Sequence, residues 1–479
     1  MTPADRTSVD VAPVEKVFDV AVVGAGVVGS AIARRLVSLG SSVVLLEARD
    51  DVGAGTSKAN TAILHTGFDA VPGSLEARLV RRGYDLLSAF AAEVGIPVEP
   101  VGALLVAWDD EQLAALPGLT AKAQANGYHE TRLVGPAELY RREPHLGPGA
   151  LGALEVPGES IICPWTTTLA LATQAVLAGV ALRLNTEVVA VEPATADVPH
   201  VLQVTTPGGP GRIRARYLVN VAGLASGWLD SQVVDLPPDR RFTVTPRRGQ
   251  LIVFDKLARP LVSHILLPVP SKVGKGVLVA PTVYGNVMLG PTAEDVTDPA
   301  DTGSTQDGLD FLLGHGRRIM PDLLDEEVTT VYAGLRAATE HPDYQLRSHP
   351  DRRYVCVGGI RSTGLTASLA IGEHVADLLA EAGLATASPV ALPPLTMPMI
   401  GEAFARPYQR ADLIAADPEY GRIVCHCERV TRGELRDALA SPIPPVTVEG
   451  LRRRTRAQLG RCQGFFCGAE VQALVEAGR

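Results

Sequence analysis

Four of the chain's six cysteines crowd near its C-terminal end, as Cys425-His426-Cys427 and Cys462-Gln463-Gly464-Phe465-Phe466-Cys467, with 34 residues between the two pairs. Four thiolates can hold zinc or an iron–sulfur cluster. A one-residue gap is tight for a tetrahedral zinc knuckle, and the plant-type ferredoxin order does not match either. Six cysteines in 479 residues, so unevenly placed, argue for a metal site in a reducing compartment rather than a disulfide framework. The other two, Cys163 in IICPW and Cys356 in YVCVGG, lie in apolar runs and are expected to pack as buried thiols.

A second chemical signal lies at the other end. VFDVAVVGAGVVGSAIARRLVSLGSSVVLLEARD, residues 17–50, reads as strand, glycine turn, helix and second strand. Gly24 makes the tight turn, Gly26 lets a pyrophosphate approach, and Gly29 lets the helix pack on the strand. The helix start at Val27 and Val28 offers free N–H groups, and Glu47 ends the second strand where it can meet a ribose. The small, polar stretch GAGTSKANTAILHTGF, residues 53–68, follows at once and favours FAD, whose phosphates and ribityl chain need such a wrapping. Two more strand-to-glycine elements follow. RYLVNVAG ends at Gly223. RYVCVGGIRSTGLTASLAIGEHVADLL passes Gly359 and opens a helix whose amides at Gly364, Leu365 and Thr366 would face a ligand.

Within the wrapping stretch, His65 is the candidate base, since a neutral imidazole suits proton abstraction near neutral pH. Arg336 in VYAGLRAAT is the candidate anion grip, because a planar guanidinium binds two oxygens at once. Arg361 is placed to do the same. Arg248 and Gln250 in TPRRGQLIVF either line the substrate side or serve a structural ion pair.

These residues need elements to hold them. Three strand-to-glycine units spread along the chain imply one sheet assembled from distant segments. Short apolar strands within residues 236–330 (LIVFD, ILLPV, GVLVAPT, NVMLGP) imply an antiparallel sheet in a second domain, and residues 75–150 read as largely helical. The composition, 46% hydrophobic and 20% charged, is that of a folded chain, and a net charge of −9 offers no general attraction for nucleic acid. No 18-residue apolar run appears and the polar start lacks the marks of a signal peptide, so a cytoplasmic protein is expected, with docking on a membrane partner left open. Residues 421–479 carry ten arginines against six acidic residues. Arg452, Arg453, Arg454, Arg456 and Arg461 either offset the charge of a thiolate-bound cluster or form a solvated basic face. No aromatics are interleaved with them as a nucleic-acid surface would require.

The fingerprint, SKANTAILHTGF, RRGQLIVFD, AGLRAATEHPDY and GGIRSTGLTASLAIGEHV together resemble the D-amino-acid-oxidase-like FAD-dependent oxidoreductases. Within that family they look most like the L-2-hydroxyglutarate dehydrogenases and the anaerobic glycerol-3-phosphate dehydrogenase large subunit. The RTRAQLGRCQGFFCG run resembles the small helical [2Fe-2S] module of bacterioferritin-associated ferredoxin in its fused form. The resemblance implies an α/β FAD-binding fold of the Rossmann-like, glutathione-reductase type. Its FAD-binding segments would be about 17–75, 155–235 and 331–387. An antiparallel substrate domain would take mainly 236–330 with 76–154. Residues 1–16 would be disordered, 388–420 a linker and 421–479 the [2Fe-2S] domain.

The implied cofactor-binding set is Gly24, Gly26, Val27, Val28, Gly29, Glu47, Ser57, Asn60, Val188, Gly223, Gly359, Gly364, Leu365 and Thr366. Cys425, Cys427, Cys462 and Cys467 are the implied metal ligands, and His65, Arg336 and Arg361 act on substrate. The implied activity is a dehydrogenase taking a small anionic polyol phosphate or 2-hydroxy acid, glycerol 3-phosphate first, by hydride transfer to flavin N5. Electrons would leave through the cluster to an acceptor protein or quinone-linked subunit, in a hetero- or homo-oligomer. Two alternatives stand beside it: an opine-type amino- or imino-acid dehydrogenase, and a redox-responsive binding protein whose flavin and metal are structural.

Overall fold

A computed structural model describes residues 16–237, 240–270 and 276–478. Of residues 1–16, expected to be disordered, all but Lys16 lie outside the described residues. The strand Val17–Val23 is the axis of an eight-stranded sheet. It pairs in parallel with Val43–Leu46 on one side and with the far half of Gly209–Asn220 on the other. Ala181–Arg183 and Tyr354–Gly358 extend the parallel run. The near half of Gly209–Asn220 instead turns back as an antiparallel ribbon with His200–Thr206 and Glu187–Glu192. The parallel strands are apolar at nearly every position because both faces are covered. Helices Val27–Ser38, Pro164–Leu177 and Gly364–Glu381 cover one face, and helix Ser226–Val233 with Phe242 covers the other.

The second sheet has nine strands, running from Arg132–Val134 through Gly152–Val156, Ala103–Ala107, Ile265–Pro268, Leu278–Pro281 and Val287–Gly290 to Thr245–Phe254. Val328–Ala338 and Glu294–Asp295 complete it on that last strand. All pairings are antiparallel except Ala103–Ala107 with Ile265–Pro268. Three details differ from expectation. Residues 75–150 supply two strands of this sheet besides helices, the wholly buried Ala103–Ala107 and the short Arg132–Val134, while Val98–Glu99 belongs to a separate three-stranded sheet. Helix Leu75–Val94 buries Leu79, Val80, Leu87 and Phe90 in a core shared by both sheets, with Val20 and Val22 of the first and Leu105 and Leu154 of the second. The whole strand Val328–Ala338, with Arg336, belongs to the second sheet, so the expected boundary at residue 331 falls inside one element.

Residues 388–420, expected as a linker, run as a bound strap. Val390 donates to the Ser38 carbonyl, Met397 to Val94 and Glu402 to Val283, while Ile400 is buried. Arg406 is 2% exposed and meets Glu434 of the next unit at 2.9 Å. That unit is a small module: the hairpin Ile423–Cys425/Val430–Thr431 and helices Arg432–Leu439, Val448–Thr455 and Gly468–Ala477 around Val430, Leu435, Leu451 and Val471. Thr431 and Glu434 form a capping box at the start of its first helix. No helix among the described residues is long and apolar enough to cross a membrane.

The tail arginines form neither a solvated face nor mainly a screen for thiolates. Arg453 and Arg454 both reach Asp51 at 2.7 Å, and the Asp51 carboxylate is 3% exposed. Arg456 pairs with Glu428 at 3.1 Å and lies over the Tyr284 ring, and Arg461 pairs with Asp255 at 2.7 Å. Arg452 pairs locally with Glu449. Burial alone would raise the Asp51 pKa, but hydrogen bonds and charge from Arg454 and Arg453 outweigh it and hold it below the ordinary 3.8. A depressed carboxyl contributes stability in full above its unfolded pKa, and the contribution is lost as pH falls through the depressed value. Asp51→Asn leaves two buried guanidinium groups uncompensated and is expected to cost about 3–5 kcal/mol. The measurement is thermal denaturation with limited proteolysis of the 388–420 strap: the variant should cut readily at neutral pH, and the wild type only in acid. Arg436→Ala, in an exposed ion-pair group, should change little.

Candidate functional site

The dinucleotide turn is built as its glycines require. Gly24 adopts φ +113°, and a Cβ there would lie 2.5 Å from the Val221 carbonyl oxygen, in the turn that leads to Gly223. A Cβ on Gly29 would lie 1.8 Å from the Gly24 oxygen. Helix Val27–Ser38 has no side-chain cap from Gly26. The Ser57 hydroxyl accepts from the Val27 amide at 3.0 Å, while the helix's own bonding leaves the Val28 and Gly29 amides free for a ligand. Glu47 accepts from the Ala25 amide at 2.9 Å and the Arg49 amide at 3.0 Å. Burial pushes its carboxyl up, against the lowering pull of those two amides. Gly53 closes the wrapping segment on the turn by donating to the Ala25 carbonyl at 2.9 Å. Asn60 holds a local turn through Ser57 and Ala62. Val188 lies two residues past Thr186, whose amide donates to the Glu47 carbonyl, and packs in the core with Val23 and Leu46. This is a cradle that any side chain would fill, with bare amides at a helix start, and it fits FAD.

The wrapping segment ends at His65. Strand Ile63–Leu64 pairs antiparallel with Ser160–Ile162, so the residue after the first faces the residue before the second: His65 faces Glu159. His65 Nδ1 lies 2.9 Å from Glu159 Oε2. The His65 amide donates to Thr366 Oγ1 at 3.0 Å, which joins this residue to the start of helix Gly364–Glu381. That helix has no side-chain cap, and the amides of Gly364, Leu365 and Thr366 lie in its first turn. Gly359, at φ +69°, turns the chain between strand Tyr354–Gly358 and this helix. Glu159 was not foreseen. Its one sequence signal is an acid placed directly before the buried run SII, 94 residues from its partner.

Arg336 lies on strand Val328–Ala338, which runs against the wrapping segment: Gly334 faces Ala59 closely and Thr56 donates to the Leu335 carbonyl at 2.8 Å. Its guanidinium lies over Gly249 and donates to the Thr292 carbonyl at 3.3 Å. Burial and the neighbouring Arg247 charge lower its pKa from the ordinary value, and among the described residues no carboxylate pairs with it. Arg361 stands apart, half-buried, donating to the Pro342 carbonyl and 3.8 Å from Glu76. Arg248 is spent on Glu294 and Asp301, and Gln250 on Thr305 at a helix start, so both are structural. Cys163 and Cys356 are fully buried, as expected.

In the C-terminal module the four cysteines meet in two facing pairs, Cys427 with Cys462 and Cys425 with Cys467. Amides of Phe466, Gly464 and Phe465 donate to Cys462 and lower its pKa, whereas burial pushes Cys467 up to about 12, with Cys425 adding to it. Among the described residues no three His, Cys, Asp or Glu side chains surround a single ion. Two facing pairs of thiols fit a two-iron rhomb, which takes two thiolates on each iron. Phe465 and Phe466, on the loop between the last two cysteines, are 85% and 75% exposed.

Comparison with known proteins agrees with both cofactors. Residues 19–378 match the family model FAD dependent oxidoreductase, and residues 423–477 match the BFD-like [2Fe-2S] binding domain. The chain is 35% identical to glycerol 3-phosphate dehydrogenase of Caloramator mitchellensis, over 95% of this chain and 93% of that protein. It is 24% identical to one of the subunits of the anaerobic glycerol-3-phosphate dehydrogenase of Escherichia coli K12, over 96% and 88%. Among solved structures it is similar to dithionite-reduced L-alpha-glycerophosphate oxidase from Mycoplasma pneumoniae with FAD bound, with TM-score 0.74 and 27% identity, covering 80% of this chain and 100% of that one.

Gly29→Ala drives a methyl into the Gly24 carbonyl and must part helix from strand. The variant is expected to purify with little flavin, read as visible absorbance per mole of protein. Full flavin content would show that the cradle does not hold the cofactor.

Proposed function

Because this chain belongs to the FAD dependent oxidoreductase family and carries a BFD-like [2Fe-2S] binding domain, we propose that it oxidises glycerol 3-phosphate at its secondary alcohol and passes the electrons to a protein acceptor. The observation that carries the reading is Arg336, a half-buried cation without a carboxylate partner among the described residues, beside the flavin-wrapping segment. Leaving such a charge unpaired is costly, and a phosphate or carboxylate of a substrate relieves it. The relative from Caloramator mitchellensis, alike along nearly its whole length, supports phosphate over carboxylate.

The chain's own residues then divide the work. Arg336 binds the anionic end and fixes the alcohol carbon relative to His65. His65 Nε2, left free by the bond at Nδ1, takes the hydroxyl proton as the carbonyl forms. Bound in the cradle, FAD supplies the acceptor for the hydride, with its two electrons, and a [2Fe-2S] cluster supplies a one-electron outlet. Thr366 holds the histidine backbone at the helix start, so base and cofactor amides share one frame. The exposed Phe465 and Phe466 beside the ligand cysteines support a macromolecular acceptor over a freely diffusing one.

Anaerobic mixing with glycerol 3-phosphate is expected to bleach the flavin of the wild type. His65→Ala should slow that bleaching about a hundredfold or more. Arg336→Leu should weaken substrate binding about tenfold or more, read from the concentration dependence of the same step. Bleaching by free amino acids, with glycerol 3-phosphate inert, would overturn the reading in favour of carbon–nitrogen oxidation.

A further inference from the structure

We propose that Glu159 is the positioning residue for His65: its buried carboxylate fixes the proton on Nδ1 and keeps Nε2 a proton acceptor. The inference rests on the reading of His65 as the base. Glu159 is fully buried and has two oxygens with distinct duties. Oε1 accepts from the Thr66 amide at 2.7 Å and from the Thr66 hydroxyl at 2.9 Å. Oε2 lies 2.9 Å from His65 Nδ1. A carboxylate offers no donor, so Nδ1 carries the hydrogen and the Nε2 lone pair stays open. The His65 side chain is 19% exposed, so one edge of the ring remains reachable.

The turn that carries Glu159 is built rigidly. The Tyr84 hydroxyl donates to the Gly158 carbonyl at 2.8 Å, and the Gly158 amide donates to the Tyr128 hydroxyl at 2.8 Å. A Cβ on Gly158 would sit 2.8 Å from the Tyr128 hydroxyl and 2.9 Å from Thr66 Cγ2, so the turn has no room for a larger residue. The Glu159 carbonyl accepts from the Gly102 amide at 2.9 Å, tying the turn to the second sheet. A carboxylate held this firmly does two things. It keeps the ring from rotating while Nε2 is unprotonated, and it faces the imidazolium once the substrate proton has arrived.

Thr66 makes glutamine an instructive replacement. The Thr66 backbone N–H can only donate, so in Glu159→Gln the oxygen of the new side-chain amide must take the Oε1 place. The NH2 group then points at His65 Nδ1, which must present its lone pair. The hydrogen moves to Nε2, and the base faces the substrate with the wrong nitrogen. Glu159→Gln therefore inverts the tautomer with almost no change in volume.

The experiment has two arms on the flavin-loaded enzyme. Anaerobic flavin reduction by glycerol 3-phosphate is compared in the wild type, Glu159→Gln, His65→Ala and the double variant. Glu159→Gln should slow the step about a hundredfold, with little change in the substrate concentration at half-saturation, and the double variant should be no slower than His65→Ala alone. A Glu159→Gln variant at the wild-type rate overturns the proposal, as does a double variant whose losses multiply. Independently, nitrogen NMR of labelled histidine in the wild type should show His65 protonated at Nδ1, and at Nε2 in Glu159→Gln. A wild-type ring protonated at Nε2 overturns it even if the variant does not fold. A His65→Ala enzyme with normal flavin reduction would instead refute the base assigned above, while the NMR arm would still judge Glu159.

Discussion

The buried carboxylate of Asp51, gripped by Arg453 and Arg454, is where two separately built parts of the chain become one structure. Both arginines belong to the helix that lies between the two cysteine pairs. Asp51 opens the segment that wraps the cofactor cradle. A buried carboxylate between two guanidinium groups tolerates no slack, because loss of any member strands a charge away from water. The same short stretch then meets every other part of the site in turn. Gly53 and Ser57 close on the dinucleotide turn, Thr56 and Ala59 lie against the strand that carries Arg336, and His65 ends the run beside Glu159. One length of chain therefore sets the cofactor cradle, Arg336, His65 and the cysteine module relative to one another.

The clamp does not act alone. Glu428, next to Cys427, is held by Arg456 and by Lys256 of the second sheet's domain, and Gln463 beside Cys462 donates to the Thr329 carbonyl at 3.1 Å. The neighbours of Cys427 and Cys462 are thus tied to the part of the chain that builds the second sheet. Arg456 also lies over Tyr284, which stacks on Trp165, whose indole donates to the Lys58 carbonyl in the wrapping segment. The module is packed as part of the enzyme, and the strap of residues 388–420 adds its own ties to Ser38, Val94 and Val283.

Much of this was legible from local pattern. Gly24, Gly26, Gly29 and Glu47 declare themselves because a dinucleotide turn forces particular residues into fixed spacing, and the cysteine pairs do so for the same reason. His65 and Arg336 stood out by chemistry and resemblance. Partners far apart in sequence were not legible. Glu159 lies 94 residues from His65, and Asp51 lies 403 from Arg454, with no periodicity to join either pair. The tail arginines read as a basic face because the acids that bind them sit in other segments. The strap read as a linker because proline-rich, polar sequence hides backbone amides that bond to distant carbonyls. Arg248 was open to two readings, substrate lining or structural ion pair, and Glu294 and Asp301 enclose it as the second has it.

The central claim is that the Asp51 clamp sets the thiolate module to receive electrons from the flavin site within one chain. It is tested most directly by freeze-quench electron paramagnetic resonance after anaerobic mixing with glycerol 3-phosphate, comparing the wild type with Arg454→Ala. The account predicts that reduction of the cluster keeps pace with flavin bleaching in the wild type and falls well behind it in the variant, whose flavin still bleaches. Equal rates of cluster reduction in the two proteins, or a wild-type cluster that stays oxidised while the flavin is reduced, would contradict it.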